Sequence, residues 1–335
     1  MFTDSWRERL VREMSLTGQY SKDILQAFEK IPREIFCEYD YPPELLYSDD
    51  VVITSKDLQE YSTSSQPSLM ALFMTVIGIR SGMKVLEIGS GTGYNACVMA
   101  QVVGEKGLIV GIEYNKKFFE IALRASEKLG VRNVVFLNQD GAIGCEKFAP
   151  YDAVVVTVAV DRIPSAWLDQ LKDGGRIISP IDVYLAHSQP AVVFEKSSRF
   201  VLAKEVVETR FLKAKGLLGN LNERNLERLS SLQPRGFSGQ IQLPYTFDTE
   251  MFRVLHLTCW SLCENNQKIF HVEENGYAHW DGKWELFGVV ERLPVVLKQW
   301  RELSFAELRA LQIVYDENLN FLKMNLIQKG GLSYV

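Results

Sequence analysis

The densest group of chemically useful residues is the run Val85-Leu86-Glu87-Ile88-Gly89-Ser90-Gly91-Thr92-Gly93-Tyr94. An apolar stretch ends there, three glycines turn the chain, and a helical pattern begins. Glycine lets backbone come close to a ligand, because no Cβ intervenes. The helix start behind the turn offers N–H groups without intrahelical partners and the positive end of the helix dipole. The spacing is G-x-G-x-G. The last glycine of a dinucleotide fingerprint would fall at Tyr94, and no Lys-Ser or Lys-Thr pair follows as a phosphate loop requires. Both facts argue against NAD and ATP.

The carboxylates around this turn narrow the ligand. Glu113 ends the next strand-like run, twenty residues after Gly93. A carboxylate there accepts from both ribose hydroxyls and repels a 2′-phosphate. Glu87, just ahead of the glycines, can engage an ammonium group directly or through the loop. Asp140 closes the third run and can accept from an adenine amino group. Acidic groups at three successive strand ends suit an adenosine carrying a cationic amine and a sulfonium, which describes S-adenosylmethionine. The plainer alternative makes Glu87 and Asp140 ordinary strand-end caps.

The elements that must position these residues follow from the pattern. Ser21 precedes a helix over Lys22–Lys30, with Ile24, Leu25 and Phe28 at helical spacing, and Pro32 ends it. Leu69–Ile79 is an apolar helix. Lys84–Ile88, Leu108–Glu113, Val134–Asn138 and the almost wholly apolar Ala153–Val158 are strands. Tyr94–Val103, Lys116–Leu129 and Pro164–Leu171 are helices, and Arg176–Ile181, Ala191–Glu195 and Phe200–Val207 are further strands. Strands alternating with helices imply a mainly parallel, doubly wound α/β sheet with right-handed crossovers. Beyond it, Gly216–Asn220 reads as a linker and 222–232 as a polar helix. Asn275-Gly276 and Asp281-Gly282 signal hairpin turns beside strands Tyr277–Trp280 and Lys283–Gly288. Leu293–Leu303 and Ser304–Val314 read as helices, so the chain ends in a small α+β domain.

The chain has 335 residues, enough for two domains, with 47% hydrophobic and 24% charged residues and a net charge of −5. That balance excludes a disordered chain and gives no bulk attraction to nucleic acid. Apolar runs fall short of the ~18–20 residues a membrane span needs. No apolar segment of a secretory signal follows Met1-Phe2-Thr3-Asp4, so a cytoplasmic location is expected. The five cysteines are expected to be reduced and structural; Cys259 and Cys263, four apart, fit one helix face. The four scattered histidines are read as structural. No metal site is expected.

Several further segments resemble the protein-L-isoaspartate O-methyltransferase family. Tyr61-Ser62-Thr63-Ser64-Ser65-Gln66-Pro67 before an apolar helix resembles its T-x-S-Q-P segment. Ile31-Pro32-Arg33-Glu34-Ile35-Phe36 resembles its I-P-R-E-x-F segment. Asp140-Gly141, Pro150-Tyr151-Asp152, Ile163-Pro164, Gln170–Arg176 and Pro180-Ile181 follow in the family's order. The likeness covers about residues 15–212, and the length resembles the long bacterial form with an extra C-terminal domain. It implies a class I S-adenosylmethionine-dependent methyltransferase, Rossmann-like, with seven strands. The expected division is 1–60 as N-terminal helical segment and loop, 61–215 as cofactor-binding core, and 216–335 as accessory α+β domain. The implied reaction moves the methyl group of S-adenosylmethionine to the free carboxylate of isoaspartyl residues in age-damaged proteins and peptides, leaving S-adenosyl-L-homocysteine and starting repair through a succinimide. No nucleic acid or membrane is an expected partner, and a monomer or homodimer is expected.

By the same likeness the cofactor is held by Ser62, Thr63, Ser64, Glu87, Gly89, Ser90, Gly91, Gly93, Glu113, Tyr114, Asp140 and Gly141. On residue chemistry alone Ser65 reads as a cap for the following helix; the T-x-S-Q-P likeness makes it the active-site serine. It is not a covalent nucleophile, since G-x-S-x-G is absent. The chain departs from the family where Tyr61-Ser62 replaces Gly-Gln, where Ser64 replaces Ile, and where Thr209–Ala214 replaces a V-P-L-T-like segment. The altered entry residues and the extra C-terminal domain leave room for a different carboxylate acceptor, on a dedicated peptide or a small molecule. A non-catalytic cofactor-sensing adaptor would not need to keep Ser65, Gly89, Gly91, Gly93 and Glu113 intact.

Overall fold

The computed structural model describes residues 2–58, 60–183, 188–198, 200–219, 238–241, 263–265, 268–272, 276–280, 284–288, 292–303, 311–317 and 321–326. The chain divides into two compact units: Met1–Thr157 with Ala166–Ile178, and Val158–Ser165 with Ser179–Val335.

The first unit opens with helices α1 (Phe2–Ser15), α2 (Lys22–Lys30) and the short α3 (Pro43–Leu46). Ser21 caps α2 by accepting from the Ile24 amide. An antiparallel hairpin follows, β1 (Val52–Asp57) and β2 (Glu60–Ser64), where the sequence signalled only a loop. Its turn holds Leu58 at φ +52°, without the Asn-Gly or Asp-Gly pair that marks such turns. Helix α4 (Pro67–Ile77) starts on a proline and stops at Gly78 in the left-handed region.

The sheet of this unit comprises β3 (Lys84–Ile88), β4 (Leu108–Glu113), β5 (Val134–Asn138), β6 (Tyr151–Val156) and β7 (Leu171–Pro180). The spatial order is β7-β6-β3-β4-β5, and all these pairs are parallel. Val85, Leu86, Ile109, Val110, Val154 and Val156 are fully buried, as strands covered on both faces require. Helices α5 (Tyr94–Val103) and α6 (Lys116–Leu129) pack against β4 and β5, and α2 packs against α5. The chain steps outward from β3 to β5 and then returns to β6 on the other side of β3. That reversal puts the carboxyl ends of β3 and β4 beside the crevice where open α/β sheets bind ligands. Short helix α7 (Ser165–Asp169) precedes β7.

In the second unit β8 (Pro190–Ser197) and β9 (Phe200–Glu208) pair antiparallel. A separate antiparallel sheet holds β10 (Ser238–Ile241), β11 (Cys263–Asn265), β12 (Lys268–Val272), β13 (Gly276–Trp280) and β14 (Trp284–Gly288), in the order β10-β14-β13-β12-β11. The expected pairing of Tyr277–Trp280 with the following strand is present, with Trp280 opposite Trp284. Helix α8 (Arg292–Glu302) lies where the pattern put one.

Two expectations in this unit are corrected. Leu311–Asp316, expected to finish a helix, is strand β15, paired with β9 and with β16 (Phe321–Leu326). Tertiary pairing overrides helical spacing there, because Leu311, Ile313 and Tyr315 are buried. Cys263 opens a strand rather than lying on a helix face. Gly216–Leu218, within the segment read as a linker, forms a short 3₁₀ turn with Leu218 buried. The proposed helix at 222–232, residues 304–310, Cys259, His187, His256 and both expected hairpin turns apart from Gly276 fall outside the described residues. Among the described residues no helix is long and apolar enough to cross a membrane, and no three His, Cys, Asp or Glu side chains group as metal ligands.

Candidate active site

The expected residues line up along the carboxyl ends of β3, β4 and β5 and on the end of β2. Gly89, Gly91 and Gly93 all have positive φ, at +84°, +54° and +94°. A Cβ on Gly91 would stand 2.7 Å from Ser62 Oγ, and one on Gly93 would stand 2.8 Å from Ala122 Cβ. A side chain at either point would strain the backbone and force its neighbours to shift. The same closeness sets β2 against the glycine turn. The amides of Gly89 and Ser90 both donate to the Ile112 carbonyl, at 2.9 and 3.0 Å, and the Thr157 hydroxyl donates to the Gly89 carbonyl at 2.7 Å.

Glu113 is buried and faces this turn. Its Oε2 accepts from the Gly91 amide at 2.7 Å and its Oε1 from the Asn115 amide at 2.8 Å. Burial raises its pKa, those two amides oppose the rise, and the charge of Glu60 adds to it. Each oxygen keeps a lone pair for a further donor.

Glu87 is fully buried in β3. Its Oε1 accepts from Asn95 Nδ2 at 2.6 Å, while Glu87 Oε2 and Asn95 Oδ1 are buried without a hydrogen-bond partner. Burial pushes the Glu87 carboxyl up to about 7; the Asn95 hydrogen bond and the neighbouring Ser90 hydroxyl oppose the rise, and the charge of Glu113 adds to it. Buried acceptors without donors suit a group that carries N–H bonds and no acceptor, as an ammonium does.

Beyond β5, Asp140 Oδ1 accepts from the Ala142 amide at 2.9 Å and so caps a 3₁₀ turn. The Gly141 carbonyl accepts from Trp167 Nε1 at 2.8 Å. Asn138 Nδ2 donates to the carbonyls of Glu113 and Tyr114, both at 2.9 Å, which ties the end of β5 to that of β4. The Tyr114 side chain is half exposed beside them.

Ser65 sits between β2 and α4, partly buried, and its hydroxyl makes no hydrogen bond among the described residues. It is not the helix cap: Asp49 is, with Oδ1 accepting from the Ser68 amide at 2.8 Å and Oδ2 from Gln66 Nε2 at 3.0 Å. The Ser65 hydroxyl is left uncommitted next to a strand that touches the glycine turn. Ser62 is buried and bonded to Thr54, at 3.1 Å between hydroxyls.

Asn95, Asp49, Asn115 and Thr157 went unnoticed in the sequence. Asn115 Oδ1 caps α6, while its Nδ2 donates to Asp57 at 3.0 Å and Glu60 at 2.9 Å, fastening the hairpin to the helix beside Glu113. Only Asn95 carried a local signal, two residues past Gly93.

A parallel sheet with this strand order, a glycine turn after its central strand and a carboxylate at the end of the next strand define a class I S-adenosylmethionine-dependent methyltransferase. A protein-family model, protein-L-isoaspartate(D-aspartate) O-methyltransferase, matches residues 5–218. A protein-L-isoaspartate O-methyltransferase of Thermotoga maritima is 42% identical over 308 residues, covering 92% of this chain and 95% of that one. A solved protein-L-isoaspartate O-methyltransferase superposes with a TM-score of 0.87 at 40% identity, over 96% of this chain and 99% of the other. A more distant structure from Plasmodium falciparum, 19% identical with a TM-score of 0.53 over 62% of this chain and 98% of its own, shares the fold and was solved with S-adenosyl-L-homocysteine. The chain belongs to the protein-L-isoaspartate(D-aspartate) O-methyltransferase family.

Proposed function

We propose that this protein transfers the methyl group of S-adenosylmethionine to the free carboxylate of L-isoaspartyl residues in damaged proteins and peptides, with Ser65 as the residue that meets the acceptor. The supporting observation is the meeting of two segments: the glycine turn held by Glu113 and the Thr63–Pro67 segment beside it. The residues fit the cofactor. Glu113 presents a buried carboxylate suited to a ribose diol, Gly91 and Gly93 clear the backbone approach, and the bare acceptors of Glu87 and Asn95 suit an ammonium. Ser62, Thr63, Ser64, Gly89, Ser90, Tyr114, Asp140 and Gly141 complete the proposed cofactor shell.

When bound, S-adenosylmethionine supplies a methyl group on a sulfonium, an electrophile with a good leaving group. The acceptor carboxylate is ionised at neutral pH, its pKa being near ~4, so no side chain has to remove a proton. Alignment is then the main contribution of the chain, together with exclusion of the water that blunts a carboxylate. The Ser65 hydroxyl donates to the acceptor carboxylate and fixes its direction of approach. The backbone amide nitrogen that follows the residue then attacks the ester carbonyl, methanol leaves as the succinimide closes, and water opens the ring partly to normal aspartate. A cytoplasmic location, a monomer or homodimer, no nucleic-acid or membrane partner, and an accessory role for 216–335 belong to the same proposal; the net charge of −5 supports the nucleic-acid part.

The test uses labelled cofactor and two peptides identical except for one isoaspartyl or aspartyl residue, with base-labile methyl ester as the readout. Methylation of the isoaspartyl peptide alone is expected. Ser65→Ala should lower kcat/KM by about 10- to 100-fold through lost alignment, with S-adenosyl-L-homocysteine affinity unchanged. Labelling of neither peptide by cofactor-competent protein would overturn the reading and point to another carboxylate.

A further inference from the structure

The I-P-R-E-x-F-like segment has no part in the chemistry above, yet its arginine is among the most deeply buried large side chains of the protein. Arg33 is fully buried, and its guanidinium makes six contacts. Nε donates to Ser64 Oγ at 3.0 Å. Nη1 donates to the carbonyls of Leu46 at 2.8 Å and Ser48 at 3.4 Å. Nη2 donates to the carbonyls of Asp50 at 2.9 Å, Ser64 at 3.1 Å and Ser65 at 3.0 Å. The ring of Tyr94, first residue of α5 after the glycine turn, lies 5.8 Å from the guanidinium carbon.

No carboxylate among the described residues accepts from Arg33. Glu34 takes the Tyr47 hydroxyl, and Asp49 is committed to the start of α4. Taking a guanidinium out of water costs free energy, and a buried charge is kept where its donors are satisfied. Here backbone carbonyls from two stretches, 46–50 and 64–65, meet its donors together with one hydroxyl. A planar fork with five N–H groups can serve such a converging set; a lysine ammonium, with three, cannot.

Three of the six contacts fall on Ser64 and Ser65, the backbone that carries the uncommitted hydroxyl. We infer that Arg33 is a positioning residue for the acceptor side of the reaction: it sets the Ser64–Ser65 backbone, and with it the direction of the Ser65 hydroxyl, from beneath. It touches neither acceptor nor cofactor and acts through Ser65. The inference rests on the isoaspartyl reading in its kinetic arm only.

The experiment compares wild type, Arg33→Lys and Ser64→Ala, each normalised by its titrated capacity for S-adenosyl-L-homocysteine. Arg33→Lys should lower kcat/KM for the isoaspartyl peptide by about 100-fold, the size of a misplacement near 1 Å, and should weaken S-adenosyl-L-homocysteine, whose proposed shell includes Ser64, far less. Ser64→Ala, which removes one acceptor from Arg33, should show a smaller loss in the same direction. Amide exchange across 62–66, followed with S-adenosyl-L-homocysteine bound and no acceptor present, should accelerate in Arg33→Lys. Wild-type kinetics per binding-competent molecule would leave Arg33 a stabiliser of the fold and overturn the assignment. Equal losses of cofactor affinity and acceptor turnover would overturn it too. If Arg33→Lys does not fold, unchanged acceptor kinetics in Ser64→Ala decide against it. A wild-type protein inert on isoaspartyl peptide overturns the functional reading, while the exchange measurement still tests Arg33.

Discussion

Glu87 is a fully buried carboxyl whose pKa burial pushes up to about 7, and that shift bears on stability. An acid whose folded pKa lies above its unfolded value binds its proton more tightly in the folded state. The stabilisation is fully present below about 4.5 and is lost as pH rises through about 7. At about 1.4 kcal/mol per unit, the loss across that window is about 3 kcal/mol. Burial raises Glu113 as well, with the same sign. Cofactor-free Glu87→Gln should therefore show a shallower fall in Tm between about pH 5 and 7.5 than wild type, and equal slopes would remove Glu87 from the explanation. At this scale the sequence was readable where the chemistry is contiguous, as in Glu87–Gly93, or where a strand end fixes the place, as at Glu113. Arg33 was seen only as part of a resemblance, because its partners lie 13 to 32 residues further along the chain and nothing local marks a guanidinium as buried.

Asp49 shows what an element needs beyond its own pattern. Helix α4 begins at Pro67 with no cap from its neighbouring side chain, and the carboxylate that replaces it arrives from 19 residues upstream. Asp49→Ala should lower stability by about 1 kcal/mol, the usual loss for a helix cap. It should also reduce turnover on the isoaspartyl peptide, because Gln66, its other partner, directly follows Ser65. Chemical denaturation and peptide kinetics check the two parts, and turnover unchanged at reduced stability would separate the cap from the site. The parallel strands were legible because burial on both faces makes them apolar runs. The β1–β2 hairpin was not, since Leu58 turns it without glycine or asparagine. Leu311–Asp316 misled for the opposite reason: a helix-compatible run was recruited into a sheet by a strand about a hundred residues away.

The pairing of β15 with β9 decides how the whole chain can be cut. A protein ending at residue 215 keeps every proposed cofactor-binding residue and Ser65, and on site residues alone it should be active. Such a chain, however, loses β15, which pairs with Phe200–Glu208 from Asp316↔Phe200 to Gln312↔Lys204. It also loses the buried side chains of Leu311, Ile313 and Tyr315. The bared edge of β9 would present unpaired N–H and C=O groups next to apolar surface, a template for pairing with another chain. The expected outcome is a shortened protein that binds S-adenosyl-L-homocysteine when first folded but self-associates and melts earlier than the full chain. Size-exclusion chromatography with thermal melts reads this directly. Charged substitutions along the exposed edge of β9 should restore a monodisperse species, since edge charges block strand addition. A shortened chain that is monodisperse, as stable as the full protein and fully active would show that the β9–β15 pairing adds nothing the remaining fold lacks.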